Sequence, residues 1–196
     1  MKVLKFGGTS VGSAERIQGV AKLITDNEPK IVVLSAMSGT TNTLVEIADC
    51  LYCNEKKKAL EIIQNLEVNY YIVITELFST EKYIHKSKEF IQTSFTYVRS
   101  FVNKDFYPLQ EKAVLAQGEI MSTTLLHYYL EECNIPNTLL SALEYMRIDK
   151  DCEPDYFYIR QNLQRELAQP GIENLIITQG FICRNAYGEI DNLKRG

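Results

Sequence analysis

The start of the chain alternates short apolar runs with one amphipathic segment, and this order restricts the fold more than any other feature. Residues 2–6, KVLKF, form a short apolar run that ends at two adjacent glycines, and residues 13–25 carry apolar side chains at helical spacing. Residues 30–36, KIVVLSA, form a continuous apolar run typical of a buried parallel strand. The sequence predicts a strand–helix–strand unit whose parallel strands end on one edge, where open α/β sheets bind ligands.

The rest of the chain predicts a helical block followed by a return to α/β structure. We expect an α/β fold with a mainly parallel central sheet and a helical insertion. The predicted segments are a helical region from residue 41 to about 133 with breaks near 78–80 and 105–108, a strand at 137–142, a helix at 155–169, and strands after 174 with a hairpin-like turn at 187–188.

The composition argues against two classes of protein. The formal net charge is −4, and the one basic run, Lys56 to Lys58, lies near Glu55 and Glu61 in a helical pattern. Nucleic-acid-binding proteins usually carry a clustered basic face, so we expect no nucleic-acid partner. The N-terminus lacks the apolar core of a secretion signal, and no segment reaches membrane-spanning length. We therefore expect a cytoplasmic protein without a membrane partner.

Cysteine and histidine usage argues against a disulfide framework or a zinc site. The five cysteines are an odd number and are scattered along the chain, which fits reduced thiols. Cys50 and Cys53 have C-x-x-C spacing, but they lie in an apolar helical pattern without a second pair. His85 and His127 are the two histidines of the sequence. We expect Cys50 and Cys53 to be plain buried or half-buried thiols, and we assign no residue as a metal ligand.

The glycine-rich turn after the first strand departs from two known phosphate-binding patterns. Glycines at 7, 8 and 12 do not fit G-x-G-x-x-G, and Ser13-Ala14 follow where Walker A has lysine and a hydroxyl residue. The same chemical groups occur in another order: approachable glycine amides, hydroxyls, a helix N-terminus and a lysine on the strand. The candidate phosphate-binding residues are Lys5, Gly7, Gly8, Thr9 and Ser10.

A plain strand-to-helix turn, with Ser13 as the helix cap and Lys5 in solvent, would also explain this segment. The second strand favours the binding interpretation, because it too ends in polar residues and a glycine, in SAMSGTTN at residues 35–42. Neighbouring parallel strands bring such loops to the same edge of a sheet. We expect the two loops to face each other across one crevice.

Four motifs together resemble aspartate kinases of the amino-acid kinase superfamily. They are KFGGTSVG at 5–12, VLSAMSGTTNTLV at 33–45, AQGEIMSTTLL at 116–126, and TQGFI at 178–182 with LKRG at 193–196. The resemblance implies a three-layer α/β sandwich that transfers the γ-phosphoryl group of Mg-ATP to the β-carboxylate of L-aspartate. The products are 4-phospho-L-aspartate and ADP, in the first step towards lysine, threonine and methionine.

The resemblance also assigns the phosphate-binding residues. Lys5 matches the family lysine that contacts the transferring phosphate and is the expected catalytic residue. Gly7, Gly8, Thr9 and Ser10 match the phosphate loop. Because a carboxylate is already a nucleophile at neutral pH, this chemistry needs positioning and charge neutralisation by Lys5, the loop amides and Mg²⁺ rather than a strong general base.

The amino-acid substrate is assigned to a second group of residues on the same grounds. Ser35 and Thr41 match positions that line the aspartate and phosphate pocket. Glu119 matches the glutamate that receives the substrate ammonium group, and Arg195 matches the arginine that binds the α-carboxylate. An anion and a planar bidentate cation suit these two groups. Without the resemblance, Glu119 would be interpreted as a surface helix carboxylate and Arg195 as a solvated residue.

Departures from the family pattern define further expectations. The family usually continues the last motif as G-R-G-G-S-D, whereas this chain has Lys194 at a position that is commonly glycine and Cys183 where glycine often follows GFI. We expect residues 1–196 to be the N-terminal portion of the catalytic domain, inactive alone, with most of the nucleotide-binding lobe and the regulatory ACT domains outside it. The full-length protein is expected to form a homodimer.

Three alternatives stay open at this stage. The chain could be a catalytically incomplete fragment that only binds aspartate, or the N-terminal part of a bifunctional aspartokinase–homoserine dehydrogenase. It could also be a superfamily kinase that acts on glutamate, a carbamate or a nucleoside monophosphate. The motifs KFGGTSV and QGE favour aspartate over these last substrates.

Overall fold

The computed structural model describes residues 1–26 and 28–194, which contain six strands and six α-helices. Two short 3₁₀ turns, Gly8–Val11 and Ala142–Glu144, accompany them. The elements are β1 Lys2–Phe6, α1 Ala14–Ile24, β2 Lys30–Leu34, α2 Thr40–Tyr52, α3 Lys56–Leu77, α4 Glu81–Arg99, α5 Pro108–Glu132, β3 Thr138–Leu139, α6 Tyr156–Leu167, β4 Leu175–Gln179, β5 Ile182–Arg184 and β6 Ile190–Asn192.

Four of the strands form one parallel sheet in the order β1-β2-β4-β3, and β5 and β6 form an antiparallel hairpin. All five residues of β4 are buried, the polar Thr178 and Gln179 as well as the three apolar residues before them. The register pairs Phe6 with Leu34 and Leu34 with Gln179. The carboxyl ends of β1, β2 and β4 therefore lie level on one edge, as the sequence predicted.

The sheet lies between two apolar layers. Alternate strand residues point to opposite faces, so Val32, Leu34 and Ile177 join one core cluster whereas Ile31 and Ile176 join the other. The first cluster contains the inner faces of α1 to α5. The second contains the 3₁₀ turn after β3 and the half-buried apolar residues of α6 and the hairpin. This arrangement confirms the expected α/β sandwich with a parallel central sheet.

The predicted helical insertion consists of α2 to α5, between β2 and β3, and is called the helical block below. The breaks expected near 78–80 and 105–108 are present. A third break at residues 53–55 was not predicted, because the chain turns there at Asn54, with a φ of 57°, rather than at glycine or proline. Among the described residues, no helix is long and apolar enough to cross a membrane.

Two further expectations need correction. The strand predicted at residues 137–142 is limited to Thr138–Leu139, because the Ser141 side chain accepts a hydrogen bond from the Leu143 N–H and starts a 3₁₀ turn. Cys53 is exposed at the end of α2, although Cys50 is buried as expected.

Candidate active site

The polar ends of three strands surround one cleft of about 590 Å³ at the carboxyl edge of the sheet. β1 contributes Lys5 and the turn that follows it, β2 contributes the loop into α2, and β4 contributes the loop into β5. Helix α5 closes the cleft with Glu119. The residues that line it are Lys5, Gly8, Thr9, Ser35, Ala36, Met37, Ser38, Gly39, Thr41, Asn42, Glu119, Gly180, Phe181, Leu193 and Lys194.

The glycine turn after β1 packs directly against the loop after β2. A Cβ atom on Gly8 would lie 2.7 Å from the backbone oxygen of Ala36, so a larger residue would push the two loops apart. Ser13 caps α1 by accepting a hydrogen bond from the Arg16 N–H at 3.3 Å. The plain-turn interpretation was therefore right about the cap, but Lys5 still lines the cleft.

The loop after β2 leads into helix α2 through Gly39, whose φ of 82° lies in the left-handed region that favours glycine. Thr41 and Asn42 line the cleft at the first turn of α2. Helix N-termini carry partial positive charge and unpaired N–H groups, which suits an anion. Thr40 points elsewhere: it is buried, and its hydroxyl lies 3.2 Å from the hydroxyl of Tyr70 in the core.

Glu119 is buried, with 3% of its surface exposed, and the loop after β4 holds its carboxylate. Its Oε2 accepts hydrogen bonds from the N–H groups of Gly180 at 2.9 Å and Phe181 at 2.7 Å. These two bonds fix the orientation of the carboxylate. The expectation that Glu119 would be a surface carboxylate in the absence of a family role does not fit this burial.

The surroundings of Glu119 place its titration near neutral pH. Burial raises its pKa to about 7, although the N–H groups of Phe181, Gly180 and Ile182 and the charge of Lys5 act in the opposite direction. The folded chain therefore holds this proton more tightly than the unfolded chain does. The resulting stabilisation is complete below the ordinary glutamate pKa of 4.5 and is lost as the pH rises through about 7. A cation that binds beside Glu119 would favour the ionised form.

The cleft brings together six of the predicted residues: Lys5, Gly8, Thr9, Ser35, Thr41 and Glu119. Gly7 and Ser10 are not among its lining residues. Successive side chains of a 3₁₀ turn point in directions about 120° apart. Ser10 therefore points away from the cleft and lines a separate groove with Phe6 and Leu23. Arg195 lies outside the described residues. The roles assigned to all these residues stay predictions.

The backbone N–H groups of Gly180 and Phe181 are parts of the site that sequence reasoning missed. The motif TQGFI contributed to the family resemblance, but no role was assigned to its residues. Every residue except proline has a backbone N–H, so residue types do not reveal which N–H groups bind a side chain. The one sequence feature that could have indicated these two donors is the glycine directly after a buried strand. Lys194, identified as a departure from the family, also lines the cleft.

The described residues around the cleft do not by themselves fit a Mg²⁺ ion. Glu119 is the one carboxylate among the lining residues, and its Oε2 already accepts two backbone hydrogen bonds. Across residues 1–26 and 28–194, no cluster of three or more histidine, cysteine, aspartate or glutamate side chains could hold a metal ion. The cationic and backbone donors instead suit anionic groups such as carboxylate or phosphate oxygens.

Comparison with known proteins decides the family. The model of the amino acid kinase family matches residues 1–196. The chain belongs to this family. Two curated relatives are the lysine-sensitive aspartokinase 3 of Escherichia coli K12, 29% identical over 99% of this chain and 43% of the relative, and the chloroplastic bifunctional aspartokinase/homoserine dehydrogenase 2 of Zea mays, 26% identical over 98% of this chain and 22% of the relative.

Solved structures of the family agree in fold. E. coli aspartokinase III in complex with lysine and aspartate (T-state) superimposes with a TM-score of 0.81 at 26% identity, over 100% of this chain and 44% of that chain. The same values hold for its complex with aspartate and ADP (R-state). The resemblance to aspartokinases is thus confirmed. This amino acid kinase chain spans less than half the length of these relatives.

Proposed function

We propose that this chain is part of an aspartate kinase that transfers the γ-phosphoryl group of ATP to the β-carboxylate of L-aspartate. The observation that carries the proposal is the pairing, in one cleft, of an exposed lysine on β1 with a buried glutamate on α5. Such a cleft offers a cation for phosphoryl oxygens and an anion for an ammonium group. The relatives described as aspartokinases support this assignment.

Glu119 receives the substrate ammonium group in this proposal. Its Oε2 is fixed by the N–H groups of Gly180 and Phe181, so the carboxylate needs no reorganisation when the substrate arrives. Ser35 and Thr41 line the same cleft as this carboxylate and Lys5. The α-carboxylate is assigned to Arg195, which lies outside the described residues.

The β-carboxylate attacks the γ-phosphorus of ATP in the proposed reaction. A carboxylate O–P bond forms, the bond from the γ-phosphorus to the bridging oxygen of the β-phosphate breaks, and ADP leaves with that oxygen. The attacking group is ionised at neutral pH, so no base removes a proton. Lys5, the N–H groups of the Gly8–Thr9 turn and the N-terminus of α2 stabilise the phosphoryl oxygens.

ATP and Mg²⁺ are proposed as co-substrate and metal ion. The phosphates of ATP suit the Lys5 side of the cleft, and one solved relative is described in complex with ADP. Mg²⁺ binds phosphate oxygens, water and one or two carboxylates in kinases, and it would supply charge neutralisation. Since the described cleft residues do not fit Mg²⁺ by themselves, no step of the proposed mechanism depends on a protein ligand to the metal.

The extent of the full-length protein is also a proposal. Because the relatives are more than twice as long as this chain, we propose that it represents the N-terminal portion of the catalytic domain and is inactive without the remainder. Regulation by an end product, a homodimer and a cytoplasmic location stay predictions of the same kind. A fused homoserine dehydrogenase is the alternative favoured by the maize relative.

Titration calorimetry with L-aspartate tests the substrate half of the proposal on the 196-residue chain. We expect measurable binding of L-aspartate, weaker binding of L-glutamate, and none of succinate, which lacks the ammonium group that Glu119 would bind. Coupled assays of ADP release with aspartate, glutamate and carbamate test the reaction in the full-length protein. Absence of aspartate binding together with ADP release on another acceptor would overturn the proposal.

A further inference from the structure

Helix α5 carries buried hydroxyl groups next to Glu119, and that of Ser122 bonds to the loop after β2. Ser122 is 1% exposed, and its Oγ donates to the backbone oxygen of Ser35 at 2.8 Å. The carbonyl of Glu119, at 3.2 Å, is a more distant acceptor for the same hydroxyl. Hydroxyl side chains inside helices commonly bond to a carbonyl of their own helix, so the closer contact to the loop after β2 is unusual.

Ser35 is held on both sides of its backbone. Its N–H donates a hydrogen bond to the backbone oxygen of Phe6 at 3.1 Å, and Phe6 directly follows the cleft lysine on β1. Its backbone oxygen accepts a hydrogen bond from Ser122, which lies three residues after Glu119 on α5. The peptide groups of Ser35 therefore bridge the strand that carries the cleft cation and the helix that carries the cleft anion. Since buried polar groups are costly when unpaired, both bonds favour one position of this loop.

We propose that Ser122 is a positioning residue, which sets the loop after β2 at the correct distance from Glu119 and thereby tunes binding of the amino-acid substrate. The inference rests on the proposed function, because it identifies the ligand of this cleft as an amino acid held between Ser35 and Glu119. Ser122 itself is not among the residues that line the cleft.

Thr124 provides a matched control on the same helix. It is also buried, but its hydroxyl bonds to the oxygen of Ile120 in its own helix at 2.8 Å. Ser122→Ala and Thr124→Val each remove one buried hydroxyl, and the second puts a methyl group in its place. We expect Ser122→Ala to weaken L-aspartate binding by about three- to tenfold in calorimetry, the range of one net hydrogen bond, whereas Thr124→Val stays within twofold of the wild type.

Two further measurements separate positioning from general destabilisation. Ser122→Thr keeps the hydroxyl and should restore affinity to within twofold. Amide hydrogen exchange of the free chain should accelerate at residues 35–37 in Ser122→Ala, but not in Thr124→Val. Faster exchange there is the direct consequence of losing the Ser35 contact, and a general loss of stability would affect the helical block as well.

Each outcome decides the proposal. If wild-type protein binds aspartate and Ser122→Ala binds it equally well, Ser122 has no positioning role. If wild-type protein binds no aspartate, the substrate half of the proposed function fails, and hydrogen exchange alone decides whether Ser122 fixes the loop. Unchanged exchange at residues 35–37 in Ser122→Ala would then overturn the inference as well.

Discussion

The helical block and the carboxyl edge of the sheet are both buried, but different interactions hold them. The block is filled with apolar side chains such as Ile63, Ile91 and Phe95, each with 0% exposure. At the sheet edge and on the part of α5 that packs against it, the buried residues include Glu119, Ser122, Thr123, Thr178 and Gln179. Apolar packing tolerates small displacements, whereas hydrogen bonds require particular distances and angles.

Buried hydrogen bonds connect α5 to the end of β4 and the turn after β3. The Gln179 amide donates to the Thr123 hydroxyl at 2.8 Å, and its oxygen accepts from the Ala142 N–H at 2.8 Å. The hydroxyls of Tyr145 and Thr178 are 2.9 Å apart. The comparison thus teaches that the block mainly supplies folding stability, whereas the polar edge fixes the geometry of the cleft.

The largest expected effect is on stability, from Phe95→Ala in the helical block. Phe95 is fully buried and packs edge-on against the ring of Tyr70, with the two ring centroids 5.8 Å apart. We expect the free energy of unfolding to fall by about 3–5 kcal/mol, from lost burial and the cavity left behind. Urea denaturation measures this, with the more exposed Leu60→Ala as control. A loss below about 1 kcal/mol would remove the distinction between the regions.

Lys5→Ala should show the opposite profile. Because Lys5 is exposed, stability should change little, but the full-length enzyme should lose about 10²–10³-fold in kcat, the range for one transition-state charge donor. The KM for aspartate should change much less. Lys2→Ala, which removes an exposed lysine from the same strand, is the control for steady-state kinetics. Equal losses in kcat and aspartate binding would contradict the role assigned to Lys5.

Glu119 should make substrate binding depend on pH. Because burial raises its pKa to about 7, the carboxylate needed for an ammonium group is lost below that pH, and aspartate affinity should fall by about tenfold per pH unit. The substrate carboxylates, whose ordinary pKa values are about 4 or lower, stay ionised in this range. Calorimetry between about pH 5.5 and 8 would follow the change.

The matched variant Glu119→Gln cannot ionise and should bind aspartate weakly at every pH in this range. If the wild type and Glu119→Gln showed the same pH profile, another group would control binding. The polar edge would then lose its distinctive role in the comparison.

The smallest effects concern two glycines with different backbone conformations. Gly39 has a φ of 82° in the cleft loop, so Gly39→Ala should destabilise the fold by about 1–2 kcal/mol. Gly19 lies within α1, where an added Cβ would meet no side chain of the described residues within 4 Å, so Gly19→Ala should stabilise the fold by about 0.5–1 kcal/mol. Thermal denaturation measures both changes. If both substitutions changed the stability in the same direction, the backbone conformations of Gly39 and Gly19 would not explain the effects.

Much of the fold could be predicted from local patterns. Buried parallel strands such as β2 have continuous apolar sequences, and amphipathic helices such as α1 show helical spacing, so both were identified. The break at Asn54 was missed because a left-handed asparagine leaves a weaker signal than glycine or proline. The strand at Leu139 was overestimated because sequence propensity does not show where strand pairing stops.

The candidate site was predictable where side chains carry the chemistry. Lys5 and Glu119 were assigned from motifs, and the structure places both at one cleft. The backbone donors of Gly180 and Phe181 and the contact from Ser122 to Ser35 depend on tertiary packing between segments far apart in sequence. No local pattern in one sequence encodes such distances.

The five free cysteines allow opening of the two regions to be observed separately. Cys53, Cys133 and Cys152 are exposed, whereas Cys50 lies in the helical block and Cys183 follows the cleft loop on β5. Burial raises the pKa of both buried thiols, that of Cys183 to about 12, so neither reacts as a thiolate in the folded chain. The rate at which an alkylating reagent modifies Cys50 would therefore report how often the helical block opens, and the rate for Cys183 would report the same for the cleft edge. Both rates can be measured in a single unlabelled sample.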